Sequence, residues 1–222
     1  MFKTDNFQVA IDGPVGAGKS TVARLVALRS GFVYIDTGAM YRAVGLYARR
    51  LGVALDNFND PGGIGIELEP APDGQLVFLN GENITDLIRT PQASKDASAV
   101  AVHARVRSLV TRLAKEHAAN HSVVMDGRDI GTVVLPNARL KIYLDAAPEI
   151  RARRRFQELF DKGQNPDFET VKADVLRRDF NDSNREADPL RPAADAVHVD
   201  VGGISADQVT DLIVALINER RA

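Results

Sequence analysis

The chain has 222 residues, 45% hydrophobic and 26% charged, which is the balance of a globular protein large enough to bury one substantial core. Its formal net charge of −2 argues against bulk binding to nucleic acid or to a membrane surface. Cysteine is absent, so disulfides and thiolate metal sites are excluded. No apolar run nears the ~20 residues of a membrane span, and Met1 to Gln8 has no signal-peptide character, so a cytoplasmic protein is expected.

Val9-Ala10-Ile11 reads as a buried strand and Thr21 to Leu28 as a helix. Between them lies Gly13-Pro14-Val15-Gly16-Ala17-Gly18-Lys19-Ser20, a pattern of two glycines with four residues between them, then Lys and Ser. Such a loop can turn its backbone N–H groups around an oxyanion, and the helix that follows points its positive end at the same place. Lys19 then brings a full charge to the β- and γ-phosphates, and the Ser20 hydroxyl suits Mg²⁺. The run from Gly13 to Thr21 is therefore expected to bind a nucleoside triphosphate.

Phe32-Val33-Tyr34-Ile35 is a second strand, and Asp36-Thr37-Gly38 leads into a helix from about Ala39 to Leu51. Arg42 falls in its first turn, at the carboxyl end of a strand where open α/β sheets bind ligands. It is either a phosphate ligand or a salt-bridged surface group, and the neighbouring loop favours the ligand. The stretch 56–89 breaks the rhythm with Pro61-Gly62-Gly63, Pro70, Pro72, Asp73-Gly74 and Asn80-Gly81. Short apolar runs between these turns predict a small antiparallel insertion with a hairpin at Asn80-Gly81. A substrate-side flap and an inert decoration both fit it.

Thr90-Pro91 opens a helical region to about Ala118, with a break near His103, and it carries Ser98, Arg105 and Arg107. His117 and His121 are spaced as a metal pair could be, but no carboxylate cluster accompanies them, and an exposed helix end is the expected setting. Val123-Val124-Met125-Asp126 is a strand ending in an acid of the kind that helps hold Mg²⁺ or its waters. The turn Gly127-Arg128-Asp129-Ile130-Gly131 follows it directly, which favours a functional reading over a plain turn.

Leu140 to Leu144 is a fourth strand, and Pro148 opens a helix bearing Arg151, Arg153, Arg154 and Arg155. That run is either a solvated face or a lid whose guanidinium groups close over a migrating phosphoryl group. A helix from Phe168 carries Arg177, Arg178, Asp179, Asp182 and Arg185, then Ala196 to Val199 forms a fifth strand. Ser205-Ala206-Asp207-Gln208 is a capping box for the last helix. The pattern predicts an α/β fold: a doubly wound five-stranded parallel sheet with helices on both faces.

Phosphoryl transfer between two nucleotides must bring two polyanions together, and Arg42, Arg128 and the Arg151–Arg155 run are spaced to neutralise them. A GTPase would need an Asn-Lys-x-Asp segment, which is absent; Asp60-Pro61-Gly62-Gly63 has switch-like letters but falls inside the insertion. Three segments, Asp36 to Arg42, Asp126 to Val134 and Arg178 to Arg185, resemble the bacterial cytidylate kinase family, and the resemblance spans nearly the whole chain.

The resemblance implies ATP-dependent phosphorylation of CMP and dCMP with Mg²⁺, by a monomer with no nucleic-acid or membrane partner. It implies a core (1–55, 91–150 and 169–222), a monophosphate-binding insertion (56–90) and a short helical lid (151–168). Lys19, Arg128, Arg154 and Arg155 would be catalytic, and Ser20 and Asp126 would hold the metal, the acid through water. Arg42 and Arg128 would hold the acceptor phosphate; Thr37, Arg107, Asp129 and Arg185 would surround the cytosine; Ser98, Arg178 and Asp182 would address the sugar. An acid at position 129 suits cytosine, whose amino group is a donor that uracil lacks. Two departures are local: Ser20 stands where some members have Gly, and Thr37 where others have Ser. The rival expectations are a kinase for another small acceptor, such as another nucleoside monophosphate or shikimate, and a non-catalytic ATP-binding regulatory protein.

Overall fold

The computed structural model describes residues 6–58, 62–71 and 74–221. Strand β1 (Gln8–Asp12) runs through the glycine loop into α1 (Lys19–Ser30), and β2 (Val33–Asp36) runs into α2 (Thr37–Arg50). The insertion supplies β3 (Ile66–Ala71), β4 (Gly74–Leu79) and β5 (Glu82–Asn83), and α3 (Pro91–Val100) and α4 (Ala104–Ala119) follow. Alternation then resumes with β6 (Val123–Gly127), a π-helical turn at Ile130–Val134, and β7 (Leu140–Asp145). Helices α5 (Pro148–Asp161) and α6 (Phe168–Asn184), strand β8 (Val197–Asp200) and α7 (Ala206–Arg221) complete the chain.

The five expected strands pair in parallel in the order β2-β6-β1-β7-β8, and β3-β4-β5 form a separate antiparallel sheet. Alternate residues of a strand face opposite sides, and this builds two cores. Val9, Ile11, Val124, Leu140, Ile142 and Leu144 pack with residues of α1 and α7, while Ala10, Ile35, Val123 and Met125 pack with residues of α2 and α4. The chain leaves β1 toward the first of these faces and leaves β6 toward the second, where Ile130, Val134 and Leu135 are buried. Neighbouring strands that send their loops to opposite faces open a crevice at their carboxyl ends. The phosphate loop lies there.

Local signals decide several boundaries. Helix α2 begins at Thr37, two residues before the expected start, because the Asp36 carboxylate caps it by accepting from Ala39 N at 3.1 Å. The break near His103 separates α3 from α4, and the Ser205–Gln208 capping box forms at 2.9 and 3.2 Å. Asn80 and Gly81, at φ 50° and 82°, make the two-residue hairpin turn that joins β4 to β5. Ile66, Val77, Leu79, Ile84 and Ile88 of the insertion share one core cluster with Met40, Ala43 and Val44 of α2. Of the expected turns at Pro61-Gly62-Gly63, Pro72 and Asp73-Gly74, residues 61, 72 and 73 lie outside the described residues. Among the described residues no helix is long and apolar enough to cross a membrane.

The entry to the phosphate loop is tightly constrained. Gly13 has φ +149°, and a Cβ there would sit 2.0 Å from the Leu144 carbonyl oxygen on β7. Gly13→Ala is therefore expected to cost about 3 kcal/mol by forcing β1 and β7 apart. Urea unfolding of the variant against the parent measures this directly.

Candidate functional site

The carboxyl ends of β2, β6 and β1 lie side by side, and each carries an aspartate. Asp36 stands opposite Asp126, and Asp12 opposite Gly127. Asp126 accepts from the hydroxyls of Ser20 (2.9 Å) and Tyr34 (2.8 Å), while its backbone carbonyl accepts from Thr37 Oγ1 (2.8 Å). Asp36, besides capping α2, pairs with Arg42 Nη2 at 2.6 Å. Asp12 accepts the backbone N–H groups of Ile130 and Gly131 at 2.8 and 2.7 Å. That ties the turn bearing Arg128 and Asp129 to the strand that enters the phosphate loop.

Burial shifts Asp126, Asp12 and Lys19. Burial, reinforced by the neighbouring Asp36, pushes Asp126 up to about 6. Burial likewise pushes Asp12 up to about 6, with its two backbone hydrogen bonds acting the other way. Lys19 donates from Nζ to the Pro14 carbonyl at 2.7 Å, and burial together with the Arg128 charge pushes it down to about 7.

One cavity of about 670 Å³ opens over this edge. Val15, Gly16, Gly18, Lys19, Ser20 and Thr21 form its loop wall, and Thr37, Arg42, Ser98, Arg128 and Asp129 line it opposite. Arg178 and Asp182 of α6, with Arg185 just beyond, complete that wall, while Arg154 and Arg155 of α5 also border the space. Gly13, Pro14 and Ala17 of the loop are buried and do not line the cavity.

The far wall is a charge network. Arg128 Nε donates to Asp182 at 2.7 Å; burial alone would raise Asp182, but the Arg128 guanidinium holds it below the ordinary carboxylate range. Burial and the Arg128 charge push Arg178 down to about 10. Nε of Arg178 and Nε of Arg42 are buried without a hydrogen-bond partner among the described residues. Buried donors of this kind are costly unless something accepts from them, and an anion with several oxygens would do so.

Arg107, expected at the base itself, is not on the cavity wall. Its guanidinium is buried, binding Asp129, Asp188 Oδ2 at 2.7 Å and the Ala101 carbonyl at 3.2 Å, with the Tyr41 ring 5.7 Å away. It holds Asp129 from behind, and Arg185 reaches the other Asp129 oxygen at 3.4 Å. Helix periodicity likewise divides the arginine run. Arg151 is buried and donates to the Val15 carbonyl (2.9 Å) and to Asp179 (2.6 Å), whose second oxygen accepts from Val15 N (3.3 Å). Arg153 instead pairs with Glu149 and lies over the Phe168 ring. Only Arg154 and Arg155 of the run face the cavity, where Arg154 donates to the Val201 carbonyl and Arg155 pairs with Glu158 at 2.7 Å.

Several supports went unseen in the sequence: Asp12, Tyr34, Tyr41, Asp179 and Asp188. Asp12 had a signal, since it ends an apolar strand as Asp126 does; the others depend on contacts between distant segments. For a metal, Ser20 Oγ and Asp126 Oδ2 offer an adjoining hydroxyl and carboxylate beside the loop. Among the described residues no group of three or more His, Cys, Asp or Glu could hold an ion by itself. A single carboxylate and a hydroxyl suit Mg²⁺, which takes its other ligands from phosphates and water.

A family model described as cytidylate kinase matches residues 9–219. A cytidylate kinase of Geobacillus sp. strain WCH70 is 46% identical over 220 residues, covering 97% of this chain and 98% of its own length. That of Geobacillus thermodenitrificans is 48% identical over 216 residues, covering 96% of each. Among solved structures, a shikimate kinase from Bacteroides thetaiotaomicron superposes with a TM-score of 0.50 at 12% identity, covering 96% of this chain and 98% of that one. At that identity the likeness carries the fold alone.

The depressed Lys19 makes a measurable claim about the ligand-free protein. Unfolded, this lysine keeps its proton to about 10.5; folded, it releases it near 7, so its contribution to stability rises with pH between those values. Lys19→Met removes that rise. In urea unfolding at pH 7, 8 and 9, its slope of unfolding free energy against pH is expected below the parent's by up to about 1.4 kcal/mol per pH unit.

Proposed function

The chain belongs to the cytidylate kinase family, and from that premise we propose that it transfers the γ-phosphoryl group of ATP to CMP and dCMP, giving ADP with CDP or dCDP. The observation that carries this reading is the single cavity joining the phosphate loop to the wall of Arg42, Arg128, Arg178 and Asp129. Donor and acceptor phosphates fit its two sides, with the guanidinium groups between them.

In this reading the loop N–H groups and Lys19 hold the β- and γ-phosphates. Ser20 and Asp126, the acid through water, would hold Mg²⁺, which would add charge neutralisation to the bound triphosphate. Arg42, Arg128 and Arg178 hold the acceptor phosphate, whose oxygen attacks the γ-phosphorus in line, with no covalent enzyme intermediate. The unpaired Nε donors of Arg42 and Arg178 favour this role, and for Arg178 they favour it over the sugar. Asp182 and Ser98 remain for the ribose. Asp129 accepts from the cytosine amino group beside Thr37 and Arg185, and Arg107 keeps its carboxylate in place. Arg154 and Arg155 close over the migrating group from the lid at 151–168, and the stretch 56–90 borders the acceptor side. The same reading takes the protein as a cytoplasmic monomer without nucleic-acid or membrane partners; the net charge of −2 supports the absence of those partners alone.

Steady-state assays with ATP, Mg²⁺ and a panel of acceptors test the proposal. CMP and dCMP are expected to exceed UMP, AMP and shikimate in kcat/KM, and preferred turnover of any of the latter overturns it. Asp129→Asn presents a donor in place of one acceptor oxygen, so preference for CMP over UMP is expected to fall by about tenfold or more. Unchanged preference removes the base-reading role. Replacing Arg154 and Arg155 together with Gln is expected to lower kcat by about 10²–10³-fold with little change in thermal midpoint, because partly exposed charges contribute little to folding.

A further inference from the structure

The antiparallel insertion touches the acceptor side through one buried polar side chain. Gln75 on β4 is 8% exposed, and its amide meets the backbone of Asp36 in both directions. Oε1 accepts from Asp36 N at 3.0 Å, and Nε2 donates to Asp36 O at 3.4 Å. The complementarity sets the orientation of the amide, since the reverse would set donor against donor. Strand β2 is the outermost strand of its sheet on this side, so past β6 it has no further partner in that sheet. A primary amide carries the same donor and acceptor as a peptide group, and Gln75 occupies the place that the next strand's peptide would take.

The residue gripped in this way is the one that organises the acceptor corner. One Asp36 carboxylate oxygen caps α2 at Ala39, and the other aims Arg42. The next residue, Thr37, is anchored to the Asp126 carbonyl. Beside Gln75, the insertion backbone lies close to α1 and β2, for a Cβ on Gly74 would lie 3.2 Å from Arg24 Cδ and 3.8 Å from the Tyr34 ring. The insertion also shares its apolar cluster with α2, the helix on which Arg42 is mounted.

We propose that Gln75 is a positioning residue for acceptor binding: its amide clasp on Asp36 holds the β2–α2 corner in the geometry that presents Arg42 and Thr37 to the nucleoside monophosphate. Gln75 itself touches no substrate. The insertion then acts as a buttress of the acceptor site, and the two hydrogen bonds of the Gln75 amide go to Asp36, not to the phosphate loop or Lys19. This rests on the reading of Arg42 as an acceptor ligand.

The test is steady-state kinetics on the full chain with Gln75→Met, which keeps length and packing but removes both polar partners, and with Gln75→Glu. The latter keeps the acceptor for Asp36 N–H but sets an oxygen against Asp36 C=O. Both are expected to raise KM for CMP about tenfold while KM for ATP stays within twofold of the parent. A CMP KM within twofold of the parent in both variants, or equal rises in the two KM values, overturns the proposal. Should either variant fail to fold, amide hydrogen exchange on the parent decides. Exchange at Asp36 N–H is expected to slow about tenfold or more on adding CMP and to be unmoved by ATP; an Asp36 amide indifferent to CMP overturns the clasp. A parent without CMP turnover overturns the function itself, whereas a normal parent with indifferent Gln75 variants overturns this inference alone.

Discussion

Three adjacent parallel strands each bring a carboxylate to the same edge of the sheet, and the site is built on how these three charges are satisfied. Parallel register forces Asp36, Asp126 and Asp12 together, because each lies at or one residue short of the end of its strand. Left alone, adjacent acids of this kind would repel one another. Each is instead committed to a different loop: Asp126 to Ser20 and Tyr34, Asp36 to the first turn of α2 and Arg42, Asp12 to the turn after Asp129. The acids thereby fix the positions of the cations that a phosphoryl-transfer site needs.

The cations are no more comfortable than the acids. Lys19 is buried near Arg128, and Arg178 is half-buried in the same field, so both are held below their ordinary range. A fold selected only for stability would not place them there. The arrangement makes sense when two polyanions arrive, because their charge favours the protonated forms that burial opposes. Preorganised charge of this kind contributes most to transition states that spread negative charge over several oxygens. Carboxylates hold several of these arginines in place: Asp36 holds Arg42, Asp182 holds Arg128 and Glu158 holds Arg155.

Around this centre, supporting contacts come from segments far away in sequence. Arg151 and Asp179 grip Val15 of the phosphate loop from α5 and α6. Arg107, from α4, holds Asp129 from behind. Gln75, from the insertion, grips Asp36. Each contact joins a peripheral element to one strand end, so motions of the outer elements have a direct physical connection to the geometry of the site.

By itself the sequence determined the five strands, their alternation with helices, the phosphate loop, the Asn80-Gly81 hairpin and a set of polar residues that line one cavity. All of these rest on local physics: apolar periodicity, glycine freedom, cap and turn chemistry, and residue types at strand ends. Its errors came where local pattern underdetermines direction. Helix α2 starts two residues early because Asp36 is a cap, and the arginine run splits because Arg154 and Arg155 border the cavity while Arg151 turns to Val15 and Asp179 and Arg153 to Glu149. Only the tertiary structure decided that Arg107 stands behind Asp129, that Tyr34 and Asp12 belong to the centre, and that the insertion reaches Asp36 through Gln75. Those facts depend on which distant segments the sheet order β2-β6-β1-β7-β8 brings side by side, and that order is set by packing both faces at once, which no local stretch of chain encodes.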